Sequence, residues 1–171
     1  MKKLLLSISM LSILFISSCG DDDSDDTPSI GLSGTLNFDG QSYAIANGFF
    51  SLSMEDGNAE GAFFFADGTI EPTNTGVSSS DSQIIISVVA TSRGTATLES
   101  GEYATSTNVP DLYADVAVTI LDNGNPVGRE AITGGSVSIS GSQNTYNITF
   151  DVPFGQGVEL TGSATGTFEN P

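Results

Sequence analysis

Few side chains in this sequence could carry chemistry, and their types narrow what that chemistry could be. Cys19 is the only cysteine, and the chain contains no histidine and no tryptophan. Ser-His-Asp and Cys-His catalysis, imidazole and multi-thiolate metal sites, and disulfide bonds are therefore excluded. The groups that remain are one thiol, hydroxyls, four tyrosines and the carboxylates.

One group of oxygen-bearing side chains has a spacing that could suit a cation. Asp56, Asn58 and Glu60 alternate as the first ligands of a calcium loop do. The pattern lacks the bidentate acid that closes such a loop, and an acidic hairpin tip has the same sequence. We therefore interpret this stretch as a hairpin tip, with calcium binding as the alternative, and predict no other metal site.

The enzyme class that these residues could support is a glycosidase, which needs a pair of carboxylates. Such a pair combines one acid in an apolar pocket, with a raised pKa, and one acid that stays ionised. Asp111 and Asp115, near Asp122, could bring carboxylates together, but the solvated outer face of a strand explains them better. Almost every acid lies at a predicted turn or on a polar strand face. We therefore expect no catalytic residue, no enzyme activity and no cofactor.

The residues before Cys19 have the order of a secretory signal peptide. Lys2 and Lys3 form a basic start, an apolar run covers residues 4–16, and serines precede the cysteine. The run is shorter than the roughly 20 apolar residues that a membrane-spanning helix needs. The sequence predicts that residues 1–18 are a signal peptide, with a retained anchor helix as the alternative.

The end of this segment, Ile16-Ser17-Ser18-Cys19, resembles the lipobox of bacterial lipoproteins. The resemblance implies that the Cys19 thiol carries diacylglycerol and that Cys19 becomes the first residue of the mature chain. Two or more acyl chains, such as palmitate, anchor a protein stably, whereas one chain does so only marginally. The partner implied is a membrane, contacted through the N-terminal lipid. A chance cysteine after an ordinary signal peptide is the alternative.

Residues 19–29 form an acidic stretch that cannot bury itself and should be extended and solvated, because its charges repel one another. It resembles the surface-export signal of Bacteroidota lipoproteins, which implies an outer-membrane protein facing the cell exterior. A plain linker is the alternative. The acids that would form the signal are Asp21, Asp22, Asp23, Asp25 and Asp26.

The charge balance restricts the partners. After residue 18 the chain keeps only Arg93 and Arg129 as basic residues, against 21 acids. Such an acidic surface repels phosphate backbones and anionic membranes. Nucleic-acid binding is therefore excluded.

Alternating apolar residues predict one all-β domain over residues 30–171. The clearest strand, residues 146–152, places Tyr146, Ile148, Phe150 and Val152 on one face, which we expect to pack against Val137, Ile139, Leu160 and Phe168. Residues 71–82 are predicted to be a surface loop or a short irregular turn. The predicted strands are 35–38, 43–46, 49–54, 61–66, 83–91, 95–98, 102–104, 112–121, 127–132, 136–140, 146–152 and 158–168.

A dozen short strands with turn residues between them indicate two packed antiparallel sheets or a closed up-and-down barrel. The two-sheet β-sandwich is preferred because several strands are apolar on both faces. The segments Gly34…Tyr43-Ala44-Ile45, Ser100-Gly101-Glu102-Tyr103 and Gly135…Phe168 resemble small all-β lipoproteins of Bacteroidota. That resemblance implies a fold and a location, and it brings no active site to these residues.

Aromatic residues concentrate in two predicted strands, at Phe49, Phe50, Phe63, Phe64 and Phe65. Core packing is the preferred interpretation, and an exposed patch for a glycan or protein partner is the alternative. The sequence therefore predicts a non-catalytic, lipid-anchored cell-envelope protein with a binding or structural role. The alternatives are a glycan-binding accessory subunit of an outer-membrane uptake system and a carboxylate-dependent glycosidase.

Overall fold

The structure is a computed structural model that describes residues 31–74, 76–105, 110–130, 132 and 134–169. These residues form thirteen strands and one 3-10 turn, Gly155–Gly157. Within them, no helix is long and apolar enough to cross a membrane. The strands are β1 (Leu32–Phe38), β2 (Gln41–Ile45), β3 (Asn47–Glu55), β4 (Asn58–Ala66), β5 (Glu71–Thr73), β6 (Gly76–Ser78), β7 (Ile84–Ser92), β8 (Gly101–Ala104), β9 (Leu112–Asp122), β10 (Asn125–Glu130), β11 (Ser136–Ser142), β12 (Thr145–Pro153) and β13 (Glu159–Thr167).

Eleven strands form one sheet that curls into a nearly closed, barrel-like shape. The strand order is β2-β1-β13-β12-β11-β8-β9-β7-β4-β3, with β10 beside β9, and β5 and β6 form a small second sheet. Every strand pairing is antiparallel except that of β8 with β9. The all-β prediction is confirmed. The architecture is nearer to the barrel alternative than to two packed sheets, but the sheet is only nearly closed and its β8–β9 pairing is not up-and-down.

The sheet nearly closes because one long stretch of chain belongs to both of its ends. β2 pairs with β1, the chain bends at Ala46, and β3 then pairs with β4. The Ala46 N–H donates to the Ala66 carbonyl at 3.1 Å, so the bend keeps its hydrogen bonding. Glu169, which follows β13, bridges to Phe49 in a parallel arrangement. The end of the chain's last strand is thereby joined to β3.

Side chains fill the interior of this sheet. The ring of Phe168 lies edge-on to those of Phe63 and Phe65, with centroids 5.4 Å away in both cases. Tyr146 and Phe150 extend the cluster, 5.1 Å from Phe63 and 5.5 Å from Phe65 respectively. Such edge-to-face pairs suit the ring quadrupoles and add to the gain from burial. The centre is therefore a packed hydrophobic core.

The predicted inward faces are confirmed. β12 alternates strictly between buried and exposed residues over its central part, and β11 and β13 flank it on either side. The residues predicted to share this core are all buried there: Tyr146, Ile148, Phe150, Val152, Val137, Ile139, Leu160 and Phe168.

A second, smaller apolar cluster lies on the outer face of β3, β4 and β7. It is built from Phe49, Ala66, Ile70 and Ile85, with Phe64 half-buried against it. The β5–β6 hairpin covers this cluster, so the prediction of a loop over residues 71–82 is wrong for these two strands. The cover also explains why β7 is apolar on both faces without a second full sheet.

The predicted strand at residues 95–98 is also wrong, because these residues form an irregular loop between β7 and β8. Leu98 packs against the core beside Gly61. The Tyr103 hydroxyl holds the loop from inside by donating to the Glu99 carbonyl, and the Ser92 hydroxyl accepts from the Glu99 N–H at 2.9 Å. Burial raises the pKa of Tyr103, which keeps this donor protonated.

Candidate functional site

The filled interior leaves the outer surface and the ends of the sheet as places for a site. The aromatic concentration divides between the two faces of the sheet. Phe50, Phe63 and Phe65 point into the core, and the rings of Phe50 and Phe63 are 4.6 Å apart. Phe49 and Phe64 face each other on the outer side. The main core therefore accounts for three of the five rings, while Phe49 is buried in the smaller outer cluster and Phe64 is half-buried against it.

A groove of about 310 Å³ lies beside the two outer rings. Its floor is the outer face of β3 and β4, formed by Phe49, Ser51 and Phe64, and its wall is the β5–β6 hairpin, including Pro72 and Val77. The two aromatic rings of the floor and the aliphatic side chains of Pro72 and Val77 make the groove suited to an apolar side chain.

A second, polar cleft of about 560 Å³ lies between β2 and the turn that joins β9 to β10. Gln41, Gln83, Asp122 and Asn123 line it with amide and carboxylate groups, and Tyr43 contributes an aromatic ring. The Tyr43 hydroxyl donates to Oε1 of Gln41 at 3.3 Å. Burial, together with the charges of nearby carboxylates, raises the pKa of Tyr43. The cleft thus offers both donors and acceptors to a polar ligand.

The carboxylates near this cleft already hold the chain together. Oδ1 of Asp81 accepts a hydrogen bond from the Thr69 N–H at 3.0 Å. Oδ1 of Asp67 accepts from the Gln83 N–H at 2.9 Å and from the Ile84 N–H at 3.2 Å. These contacts fasten the segment that follows β4 to the residues around the start of β7, and Asp81 itself lines the cleft.

The calcium candidate lies at the hairpin tip between β3 and β4. Asp56 and Gly57 have φ values of 50° and 80°, which fits a two-residue turn with positive φ at both positions. Oδ1 of Asn58 accepts a hydrogen bond from the Gly94 N–H at 3.0 Å, and Glu60 lies farther along β4. The amide oxygen needed as a second ligand is therefore engaged by the backbone.

The other acidic candidates are separated along β9. Asp111 precedes the strand, Asp115 is exposed on its outer face, and Asp122 is its last residue. Across the described ranges, no group of three or more His, Cys, Asp or Glu side chains is arranged to hold a metal ion. The strand brings no pair of these acids into a shared pocket.

The predicted lipidation site and export signal lie outside the described residues. This applies to the signal peptide, residues 1–18, and to the tether, residues 19–29. The residues concerned are Cys19, Asp21, Asp22, Asp23, Asp25 and Asp26.

Sequence reasoning missed both the groove and the polar cleft. The cleft joins β2, the start of β7 and the β9–β10 turn, which are far apart in the sequence. Its one local signal is the turn at Asn123 and Gly124, where both φ values are positive as Asn-Gly turns require.

Comparisons with protein-family models, with curated proteins and with solved structures found no match to this chain.

Proposed function

We propose that this chain is a non-catalytic, lipid-anchored protein of the cell envelope whose β domain binds a partner on its outer surface. The observation that carries the binding mode is the filled interior. Residues such as Phe63, Phe65, Phe150 and Leu160, each no more than 2% exposed, occupy the space where a ligand-binding barrel holds its ligand. Contact with a partner then falls to the outer faces and the ends of the sheet.

The environment of the acids supports a non-catalytic role. In the part of the chain that the structure describes, every buried polar residue is a serine or a threonine. A glycosidase acid needs an apolar pocket to raise its pKa, and every carboxylate whose burial the structure describes is exposed or half-buried instead. Asp81 and Asp122 are both exposed at the polar cleft.

Anchoring is proposed from Ile16-Ser17-Ser18-Cys19 and the basic and apolar residues before it. A diacylglyceryl group at Cys19 would place the start of the domain, near residue 31, a short acidic tether away from the membrane. The acids at positions 21–26 repel one another, which supports an extended spacer. Export to the cell surface by this run is part of the proposal.

Cys19→Ala is expected to remove the anchor and release the protein from membranes. Each buried methylene of an acyl chain contributes about 0.8 kcal/mol, so losing all chains shifts partitioning almost completely. Detergent phase separation with mass spectrometry measures both the location and the attached lipid. Ser24→Ala, within the tether, is the matched control and should behave as the unaltered chain does. A Cys19→Ala protein that stays with membranes at the same processed mass would refute the anchor.

A glycan-binding accessory role is the second candidate, favoured by the polar cleft. Amide and carboxylate side chains that converge beside Tyr43 provide hydrogen bonds and a ring for a sugar. We expect Gln83→Ala to weaken binding of a neutral oligosaccharide about tenfold or more, since one or two hydrogen bonds are lost. Tyrosine fluorescence is a usable readout because tryptophan is absent. Gln156→Ala, on the exposed 3-10 turn, is the control, and equal affinities for both variants would exclude this cleft.

A further inference from the structure

One edge of the sheet is open along the second half of β3. Alternate residues of a strand direct their N–H and C=O groups to the same side. The Phe50 N–H donates to the Glu169 carbonyl at 2.9 Å, away from β4, and the Glu169 N–H donates to the Gly48 carbonyl at 3.2 Å. By this alternation Leu52 and Met54 also direct their main-chain groups away from β4. Among the described residues, no strand pairs with them on that side.

The same two residues expose apolar side chains. Leu52 is 48% exposed and Met54 is 54% exposed, although both share the inward face of β3 with buried Phe50. A long, apolar, unpaired edge is a template for another strand, and soluble proteins usually blunt such edges.

The outer groove lies directly beside this open edge. Ser51, between the two edge-facing residues Phe50 and Leu52, forms part of the groove floor together with Phe49 and Phe64. A strand added about 4.8 Å from β3 would carry its outward side chains next to Ser51. One of these side chains could enter the groove against Phe64, while side chains on the other face would cover Leu52 and Met54.

We propose that the β3 edge binds an extended peptide segment of another protein by strand addition. Main-chain hydrogen bonds to Leu52 and Met54 provide affinity, and the groove selects an apolar side chain. This inference rests on the proposed binding role, but it does not depend on the lipid anchor. A failure of peptide binding and a failure of membrane anchoring are therefore separate results.

Charge selects the chemistry of the partner. Glu55 lies beyond Met54 at one end of the open edge, Glu169 lies at the other, and Glu60 is opposite Ser53. A second copy of this chain, with its net charge of −17, and its own acidic tether are both repelled by these carboxylates. The segment that fits carries apolar residues in alternate positions and lysine or arginine at its ends.

The probe is the peptide acetyl-Lys-Val-Thr-Val-Thr-Val-Lys-amide, added to the full chain in detergent micelles. We expect saturable binding and slower amide hydrogen exchange at Leu52 and Met54. Two further peptides carry N-methyl groups on either the odd or the even residues. Because alternate amides of a strand face the same way, only one of these two should lose affinity, by about tenfold or more. Replacing the lysines by glutamates should also weaken binding, and added salt should weaken the lysine form.

Protein variants locate the contact. Leu52→Pro removes an N–H that makes no bond to β4 and should abolish binding, whereas Leu52→Ala keeps the N–H and should reduce affinity only a few-fold. If Leu52→Pro does not fold, the affinities of the two N-methylated peptides for the unaltered chain still test strand addition. Equal loss or equal retention by the two N-methyl peptides contradicts strand addition. The proposal is also overturned if the Leu52 amide is protected from hydrogen exchange in the absence of peptide. Protection that accompanies self-association would mean that a second copy covers the edge. Protection that is lost when residues 20–30 are deleted would mean that the chain's own tether covers it.

Discussion

Phe150→Ala is expected to lower the free energy of unfolding by about 3–5 kcal/mol, the usual cost of removing a core phenylalanine ring. Phe150 is 2% exposed, and its ring meets that of Phe65 edge-on with centroids 5.5 Å apart. β11 and β13 hold β12 on both sides, so the backbone has little freedom to collapse into the cavity. Against a typical total of about 5–15 kcal/mol this is a large fraction of the stability.

The matched control is the neighbouring residue on the same strand. Thr149 is exposed on the outer face of β12, and Thr149→Ala is expected to change the unfolding free energy by no more than about 0.5 kcal/mol. Urea unfolding of the two variants gives the comparison directly. Equal destabilisation by the two substitutions would contradict the inward assignment of Phe150.

Gly162→Ala is expected to destabilise the domain by about 2 kcal/mol or more. Gly162 has a φ of +112°, a conformation that L side chains rarely adopt and that costs about 1–3 kcal/mol for other residues. An added Cβ would lie 2.2 Å from the Thr35 carbonyl oxygen of the neighbouring strand, so β1 and β13 would have to separate. Overpacking of this kind adds to the conformational cost.

A glycine without these constraints provides the control. Gly128 lies on the exposed β10, and a Cβ added there meets no atom within 4 Å. Gly128→Ala should leave the unfolding free energy unchanged within about 0.5 kcal/mol, or raise it slightly by restricting the unfolded chain. Thermal melts of both variants test the difference. A Gly162→Ala protein that melts at the temperature of the unaltered chain would contradict the backbone constraint at this glycine.

Local alternation allowed much of the fold to be predicted. The inward face of β12 and the positive φ values at Asn123 and Gly124 follow from period-two burial and from turn chemistry, which depend on neighbouring residues alone. Glycine inside a strand can mark a bend or the close approach of a neighbouring group. At Gly162 the close neighbour is backbone, the Thr35 carbonyl.

The closure of the sheet could not be predicted in the same way. It depends on the bend at Ala46 and on the insertion of β8 between β9 and β11, contacts between residues far apart in sequence. The preference for a sandwich came from strands that are apolar on both faces. In β7 the outward Ile85 is covered by a hairpin of three-residue strands, which are too short to show alternation.

The candidate binding surfaces were only partly readable from the sequence. Opposite orientation of Phe64 relative to Phe63 and Phe65 follows from strand geometry, and the structure confirms it. The open edge depends on where the sheet stops pairing, which no local pattern reports. Leu52 and Met54 look like ordinary core residues in the sequence and differ only because β3 extends past its parallel contact with Glu169.

The intact mass of the protein extracted from membranes tests the proposed function most directly. We expect a chain that begins at Cys19 and carries a diacylglyceryl group and further acylation on that residue. A lipid at this position would hold the domain at the envelope, where a partner can reach its outer surface. A mass equal to an unmodified polypeptide, or to a chain that still contains residues 1–18, would contradict the account.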